Sequence, residues 1–405
     1  MNKLILFLLL LVAATTQAQN KKKALFIIVD GIPADVIEKL QPPTLMEISK
    51  VGGFTRSYTG GVKDTYNQTP TISAPGYINL ITGVWGNKHN VWDNDINDPN
   101  YNYWNIFRIA KKVKPSIKTA VFSTWTDNRT KLIGEGLDQT DHFMLDYSFD
   151  GLELDTVTYP HDKAADYIRK IDEAVSAKAA SYVQQEGPDL SWVYLEYTDD
   201  MGHRFGDSDI TRQAILGADQ QIKGIWDAIK LRESTFGEDW LIVVTTDHGR
   251  DPNTGKNHGG QSDRERTTWI VTNSRNLNEH FKGNVAVVDI LPSVCNHLGV
   301  KIPEEQRDEL DGVPFIGPLE FSDLHATKEG NKIVVEWKSY VNDNRKLSIL
   351  ITPTNRFKKG DKDDYMKMAE IPIKQQKFRA SFTTQSAFIK VVIKTPDQSL
   401  NTWIK

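Results

Sequence analysis

The sequence predicts an α/β fold in which helices flank a mostly parallel central sheet, followed by a small C-terminal β-sandwich. Four continuous apolar runs, at residues 24–30, 119–122, 190–197 and 240–246, are typical of strands that are buried on both faces of a parallel sheet. Helical patterns lie between several of these runs, and strands that alternate with helices indicate βαβ units. Beyond residue 318 the runs are short and alternate with polar residues, which favours antiparallel sheets.

The first eighteen residues have the pattern of a cleavable signal peptide. A basic start at Lys3 precedes an apolar run at residues 4–14, which is too short to span a bilayer. Thr16-Gln17-Ala18 is similar to a cleavage site, so we expect the mature chain to begin near Gln19. The sequence therefore predicts a leader at residues 1–18, a secreted or periplasmic protein, and no membrane association after cleavage, because no later stretch reaches about 18 apolar residues.

Two long helices are predicted between the later strands. Residues 162–185 carry Ala, Ile and Val at helical spacing, and Gly187-Pro188 ends this pattern. Residues 210–231 form the second helix, ahead of the run at 240–246. Both helices support the α/β assignment.

The C-terminal region, predicted as residues 318–405, contains no long helical pattern. Trp337 lies in the early run Val-Val-Glu-Trp and resembles the core tryptophan of fibronectin type III domains. We therefore expect a fibronectin type III-like β-sandwich with strands near residues 332–337, 346–352, 366–373, 378–383 and 388–393.

Composition excludes several classes of protein. The 405 residues include one cysteine, Cys295, so the chain can form no intrachain disulfide and no cysteine-based zinc cluster. We expect Cys295 to lie in a buried helix. The net charge of −4 argues against a partner that is a nucleic-acid polymer.

Acids and histidines follow three of the predicted strands. Because ligands of open α/β sheets collect at the carboxyl ends of the strands, these side chains are expected at one edge of the sheet. Carboxylates mixed with imidazoles suit Zn²⁺ or a similar dication. The candidates are Asp30 in Val-Asp-Gly, Asp199 and His203 in Asp-Asp-Met-Gly-His, Asp247 and His248 in Asp-His-Gly, and His258 in Asn-His-Gly-Gly.

Ser73 lies where a helix is predicted to begin, because Pro75 fits the first turn of a helix. Two interpretations of this serine remain open. It is either a capping residue, which is the usual role of a serine at this place, or a nucleophile. The second role uses the same geometry, since free amides and the positive helix end stabilise an anion attached to the serine oxygen.

The ordered motifs resemble the alkaline phosphatase superfamily, most closely its nucleotide pyrophosphatase/phosphodiesterase branch, over residues 22–316. The motifs are Val-Asp-Gly, Pro-Thr-x-Ser-x-Pro, His-x-x-x-Asp-Asn, Asp-x-x-Gly-His, Asp-His-Gly and His-Gly. The resemblance implies an alkaline phosphatase-like catalytic domain with two dications, usually zinc. One ion would be held by Asp199, His203 and His258; the other would be held by Asp30, Asp247 and His248, with Ser73 as its nucleophilic ligand. It also implies that Asn94 donates to a phosphoryl oxygen and that Tyr194 forms one wall for a nucleotide base.

By this resemblance the protein is an exported two-metal phosphodiesterase of small phosphate esters, which acts through a covalent phosphoserine on Ser73. Two departures affect its substrate: the branch usually has Thr at the position of Ser73 and Phe at the position of Ala74. A phosphomonoesterase is the alternative, with Arg129 and Lys131 as candidate cations for a terminal phosphate.

Two further alternatives remain. A sulfatase is disfavoured because Tyr77 stands where that branch has Arg. A metal-stabilised binding protein would not need Ser73. Six aromatic residues could line a different pocket: Trp85, Trp92, Tyr101, Tyr103, Trp104 and Trp125.

Overall fold

A computed structural model describes residues 21–405, and the predicted leader at residues 1–18 lies outside the described residues. An eight-stranded sheet forms the centre of the larger part, with the strand order β4-β3-β5-β1-β6-β7-β2-β8. β7 runs antiparallel to both of its neighbours, and the other pairs are parallel. The strands are β1 (Lys22–Val29), β2 (Gly53–Tyr58), β3 (Thr119–Ser123), β4 (Tyr147–Phe149), β5 (Leu190–Leu195), β6 (Asp239–Thr245), β7 (Thr267–Thr272) and β8 (Val285–Ala286).

The four predicted apolar runs are β3, β5, β1 and β6, which lie side by side in the sheet. β1 contributes Phe26 and Ile28 to one hydrophobic cluster and Leu25 and Ile27 to another, so it is buried on both faces. The predicted α/β fold with a mostly parallel sheet is confirmed.

Helices cover both faces of the sheet. The two predicted long helices are present, and the second extends to Phe236, beyond the predicted end at residue 231. Among residues 21–405, none of the helices is both long and apolar enough to cross a bilayer. The helices are α1 (Ala34–Leu40), α2 (Pro43–Val51), α3 (Ser73–Thr82), α4 (Gly86–His89), α5 (Ile106–Val113), α6 (Asp166–Glu186), α7 (Tyr197–Phe205), α8 (Asp209–Phe236), α9 (Asp263–Arg266), α10 (Ile290–Leu298) and α11 (Glu304–Arg307).

The C-terminal region consists of two antiparallel sheets around their own core. Trp337 is buried in this core, and its Nε1 donates a hydrogen bond of 2.8 Å to the Ile373 carbonyl. The five predicted runs are β10 to β14; β9 and β15 were not predicted. One sheet holds β9 (Phe321–Glu329), β10 (Lys332–Ser339) and β13 (Lys377–Ser381); the other holds β11 (Lys346–Thr352), β12 (Met366–Pro372), β14 (Ile389–Lys394) and β15 (Ser399–Ile404).

A buried lysine joins the two parts of the chain. Lys88 Nζ in α4 donates to the Glu309 carbonyl at 2.7 Å, to Asp311 Oδ1 at 2.6 Å and to Asn401 Oδ1 of β15 at 2.8 Å. The same ammonium group lies 5.6 Å from the ring centre of Trp403. The contact therefore ties the last strand of the chain to the larger sheet region.

Candidate metal centre

The predicted ligands meet at the carboxyl ends of three neighbouring strands. Asp30 directly follows β1, while Asp247 and His248 follow β6 after one residue. Asp199 lies in the first turn of α7, which begins two residues after β5. Because β1 pairs in parallel register with both β5 and β6, the three strands end at the same level. The strand topology thus explains why residues so distant in sequence share one site.

Asp199, His203 and His258 form the first group of candidate ligands. Asp199 and His203 are one turn apart on α7, with His203 Nε2 at 3.1 Å from Asp199 Oδ2. His203 Nε2 also lies 3.0 Å from His258 Nε2. Since His258 Nδ1 donates to the Thr71 carbonyl at 2.9 Å, its Nε2 carries the free lone pair in the neutral ring.

Asp30, Asp247 and His248 form the second group. His248 Nε2 lies 3.4 Å from Asp30 Oδ1 and 3.2 Å from Asp247 Oδ2. These three atoms are buried, and none of them has a hydrogen-bond partner among the described residues. His248 Nδ1 donates to the Gly249 carbonyl at 2.9 Å, so Nε2 again carries a lone pair. Asp199 also lies within ligand distance of Asp30 and His248, so the two groups adjoin.

Burial without a counter-charge shifts the pKa values of this second group. Burial and the neighbouring Asp199 raise the pKa of the Asp247 carboxyl to about 7, and burial with Asp247 nearby raises the pKa of Asp30. Burial lowers the pKa of His248. Converging lone pairs that find no donor are what a bound cation would satisfy. The oxygen and nitrogen donors therefore fit a dication such as Zn²⁺.

Ser73 lies beside both groups. It is the first residue of α3 and not its N-cap, which is Ile72 and makes no capping hydrogen bond through its side chain. The first turn packs closely against the second group, since a Cβ at Gly76 would lie 2.7 Å from Asp247 Cβ. On the other side, the hydrogen bond from His258 reaches Thr71, two residues before the serine. The helix start therefore brings Ser73 to the metal centre without using it as a cap.

Asn94 reaches the same helix start from an exposed loop. Its Oδ1 accepts a hydrogen bond of 3.0 Å from the Ala74 amide. Because Oδ1 is engaged, the NH₂ group of Asn94 is the part left to donate to another acceptor. The predicted role of Asn94 beside a phosphoryl group stays a prediction.

Tyr194 lies behind Asp30, and only 2% of it is exposed. Its hydroxyl donates to Asp30 Oδ2 at 2.7 Å, and Tyr77 contacts both that hydroxyl and the same carboxylate oxygen. A substrate base could not stack on this ring without a rearrangement of its neighbours. The predicted base-wall role stays a prediction, whereas the observed contact orients a candidate ligand.

The two candidate cations for a terminal phosphate are engaged elsewhere. Arg129 pairs with Asp150 through Nε at 2.6 Å and with Glu135 through Nη1 at 2.7 Å. Lys131 pairs with Asp127 at 2.9 Å.

The six predicted aromatic residues do not line one pocket. They pack against different neighbours, including Trp85 against Tyr58, Tyr103 against Phe357, Trp104 against Arg108 and Trp125 against Tyr77.

Two residues beside the centre were missed by the sequence analysis. Tyr77 is one helical turn after Ser73, so its spacing alone could have placed it on the same face of the helix. Arg250 contacts Asp199 through its guanidinium group. Its other partners are backbone carbonyls of Gly31 and Lys256, which leave no signal in a sequence.

Comparison with known proteins identifies relatives of this chain. The family model of type I phosphodiesterase / nucleotide pyrophosphatase matches residues 24–344. Human ectonucleotide pyrophosphatase/phosphodiesterase family member 5 is 22% identical over 236 residues, which are 56% of this chain and 44% of that protein. The match thus spans less than half of the length of this curated relative.

One solved structure shares the architecture. The structure of Ps i-CgsB has a TM-score of 0.51 at 14% identity, with 78% of this chain and 84% of that chain covered. The structure of murine ectonucleotide pyrophosphatase/phosphodiesterase 5 has a TM-score of 0.46 at 15% identity, with 70% and 96% covered. At this identity the likeness to Ps i-CgsB bears on the fold alone.

Proposed function

The chain belongs to the type I phosphodiesterase / nucleotide pyrophosphatase family, a family of phosphodiester hydrolases, and on that premise we propose that it is a metal-dependent phosphodiesterase with Ser73 as its nucleophile. One observation carries the proposal: two adjoining groups of carboxylate and imidazole ligands, one of them with three buried atoms that lack a hydrogen-bond partner among the described residues, lie near a serine that starts a helix without capping it. A purely structural metal site would not need that serine.

The proposed reaction uses the residues in distinct roles. Asp199, His203 and His258 would hold one dication, and Asp30, Asp247 and His248 would hold the other. The two ions, proposed to be Zn²⁺, would supply positive charge to the attacking and the leaving oxygen.

Ser73 Oγ releases its proton to solvent and attacks phosphorus, the P–O bond to the leaving group breaks, and the leaving oxygen departs with that electron pair and, for an alcohol, takes a proton from water. Water then hydrolyses the phosphoserine. Asn94 orients the phosphoryl group through its NH₂, and the positive end of the α3 dipole favours the anion.

A diester is the better substrate for this site than a monoester. A terminal dianionic phosphate needs an extra cation, and the two candidates, Arg129 and Lys131, are paired with Asp150, Glu135 and Asp127. Nucleotide recognition has weaker support, because Ala74 offers no ring and Tyr194 is buried. We therefore propose a small phosphodiester as substrate and leave its nucleotide character to the assay.

We further propose that the protein is exported, on the basis of the predicted leader. N-terminal sequencing of protein recovered outside the cytoplasm should begin near Gln19. A start at Met1 would contradict the leader.

The activity can be tested with four substrates side by side on zinc-loaded protein: bis-p-nitrophenyl phosphate, p-nitrophenyl phosphate, a nucleotide 5′-p-nitrophenyl ester and p-nitrophenyl sulfate. One of the two diesters, bis-p-nitrophenyl phosphate or the nucleotide ester, should have the highest kcat/KM. This ratio reports differential binding of the transition state. A preference of about a hundredfold or more for the monoester would favour the phosphomonoesterase instead. Two bound ions without turnover of any substrate would favour a metal-stabilised binding protein.

The nucleophile can be tested with a matched pair of serine variants. Ser73→Ala should reduce kcat by roughly 10³-fold or more and leave the metal content unchanged. Ser208→Ala is the control, since Ser208 accepts a hydrogen bond of 3.2 Å from the Thr211 amide as the cap of α8. The control should lose about 1 kcal/mol of stability and keep its turnover. Near-full activity of Ser73→Ala would show that another group attacks phosphorus.

A further inference from the structure

Arg250 is a buried cation directly behind the first ligand group. It is 1% exposed. Its Nε donates to the Gly31 carbonyl at 2.9 Å, Nη1 donates to the Lys256 carbonyl at 3.0 Å, and Nη2 donates to the Asp199 carbonyl at 2.8 Å. Nη2 also pairs with Asp199 Oδ1. One guanidinium group thus joins the end of β1, the start of α7 and the loop that leads to His258.

Two glycines of the metal-centre motifs make room for this guanidinium. A Cβ at Gly31 would lie 2.7 Å from Arg250 Nη2, and a Cβ at Gly202 would lie less than 3.0 Å from Cζ and Nε. Real Cβ atoms essentially never approach so closely. Gly202 is inside α7, where its backbone conformation would accept any side chain, so space is the reason for a glycine there. The motifs that carry the ligands therefore also carry the glycines that leave space for Arg250.

The contact with Arg250 gives the two carboxylate oxygens of Asp199 different partners. Oδ1 faces Arg250, while Oδ2 lies 3.1 Å from His203 Nε2. His258 Nε2 lies 4.0 Å from Oδ1 and 3.0 Å from His203 Nε2. A carboxylate held by Arg250 in this way presents Oδ2 toward His203 and cannot rotate freely.

We propose that Arg250 is a positioning residue that holds Asp199 for the ion bound by Asp199, His203 and His258. The inference rests on the proposed two-ion site. Arg250 makes no hydrogen bond with Asp30, Asp247 or His248 within the described residues, so it is linked to the second group less directly, through Asp199, which lies within ligand distance of Asp30 and His248. Loss of Arg250 should therefore selectively weaken the binding of the ion held by Asp199, His203 and His258.

The competing explanation is that Arg250 only stabilises the fold, as a buried arginine can. Arg232 is a matched control for this. It is also buried, pairs with Glu238 at 2.7 Å, donates to the Gln184 carbonyl at 3.0 Å, and packs against Gly187. Its position between α8 and the end of α6 is remote from the ligands. If Arg250 only stabilised the fold, replacing either arginine should have the same effect on Zn²⁺ affinity.

The test is a titration of chelator-treated protein with Zn²⁺ against a competing indicator dye, for the wild type, Arg250→Met, Arg250→Lys and Arg232→Met. The wild type should bind two ions. Arg250→Met should bind one ion normally and the other about 10- to 100-fold more weakly, with Arg250→Lys between them. Arg232→Met should bind both ions with wild-type affinity even where its Tm is lower.

The outcomes separate the two proposals. Unchanged affinity for both ions in Arg250→Met, or an equal loss in Arg232→Met, would overturn the role of Arg250 and leave the proposed function standing. A wild type that binds no Zn²⁺ would overturn the proposed function and this inference together. If Arg250→Met does not fold, Arg250→Lys decides: it keeps the charge but lacks the planar fork, so selective weakening supports positioning and wild-type affinity contradicts it.

Discussion

Asp247→Asn should make chelator-treated protein more stable than the wild type at pH 8. The substitution removes a buried charge and keeps the shape of the side chain. Asp247 Oδ1 accepts from the Gly31 amide at 3.1 Å, and an asparagine oxygen could do the same. The new NH₂ would replace Oδ2, 3.2 Å from the lone pair of His248 Nε2, so two atoms without partners would satisfy each other.

The magnitude follows from the raised pKa of Asp247. Burial and Asp199 raise this pKa from 3.8 to about 7. Because the folded-state pKa exceeds the unfolded one, ionisation destabilises the fold progressively as the pH rises from 3.8 to about 7, and the cost is complete above that. About three pH units at 1.36 kcal/mol each give an upper value of about 4 kcal/mol at pH 8. The asparagine variant should recover a large part of this.

The assay is urea unfolding at pH 5 and pH 8, with chelator and with added Zn²⁺. The stability advantage of Asp247→Asn should grow from pH 5 to pH 8 in chelator, and Zn²⁺ should reverse it by stabilising the wild type more.

The control for this assay is Asp219→Asn. Both oxygens of Asp219 accept backbone amides, from Thr44 and Leu45 at 2.9 Å each, so an NH₂ group there should destabilise. If Asp247→Asn were less stable than the wild type in chelator at pH 8, the reasoning that these orphaned atoms surround a cation would be refuted.

Three further predictions concern residues outside the metal centre. Burial opposes protonation of His280, but the neighbouring Asp289 carboxylate outweighs it and raises the pKa of His280, so this pair should stabilise the fold fully below about pH 6.5 and lose that effect as the pH rises through the folded-state pKa. The difference in Tm between the wild type and His280→Asn should therefore shrink from pH 6 to pH 9. A constant difference would contradict the pairing. Burial raises the pKa of Cys295 in α10 to about 12, so a thiol reagent should label the protein only after unfolding, and rapid labelling of folded protein would disprove this. Lys88→Met should lower the free energy of unfolding by about 3–5 kcal/mol, because it leaves Asp311 buried without its cation, and adding Asp311→Asn should restore part of that loss in the same urea assay.

The centre of the sheet could be predicted from sequence because it is buried on both faces. β1, β3, β5 and β6 are continuous apolar runs for that reason. β2 carries the exposed Arg56, and its sequence has neither the pattern of a fully buried strand nor that of an alternating one, although the strand pairs with both β7 and β8. Strands of this kind depend on tertiary contacts that no local pattern records.

Most of the candidate ligands could be placed because they follow a strand closely in the sequence: Asp30 follows β1, Asp199 and His203 lie in the helix after β5, and Asp247 and His248 come just after β6. The direction of a side chain is harder to predict. Tyr194 stands beside Ile28 of β1 in the sheet, and this register turns its hydroxyl toward Asp30. A sequence shows that an aromatic residue precedes Asp199, but packing decides whether its ring faces a substrate or a ligand.

The contact between Lys88 and the last strand has a consequence for the integrity of the chain. Asp311, which pairs with Lys88, donates its backbone amide to the Gly83 carbonyl at the end of α3, the helix that begins with Ser73. A chain that ended before Asn401 would leave the buried lysine without one of its three oxygen acceptors and without Trp403. Premature termination near the C-terminus should therefore destabilise the region around Lys88, hundreds of residues away in the sequence. The expected result is that the entire polypeptide fails to accumulate, and not that only the C-terminal region is lost.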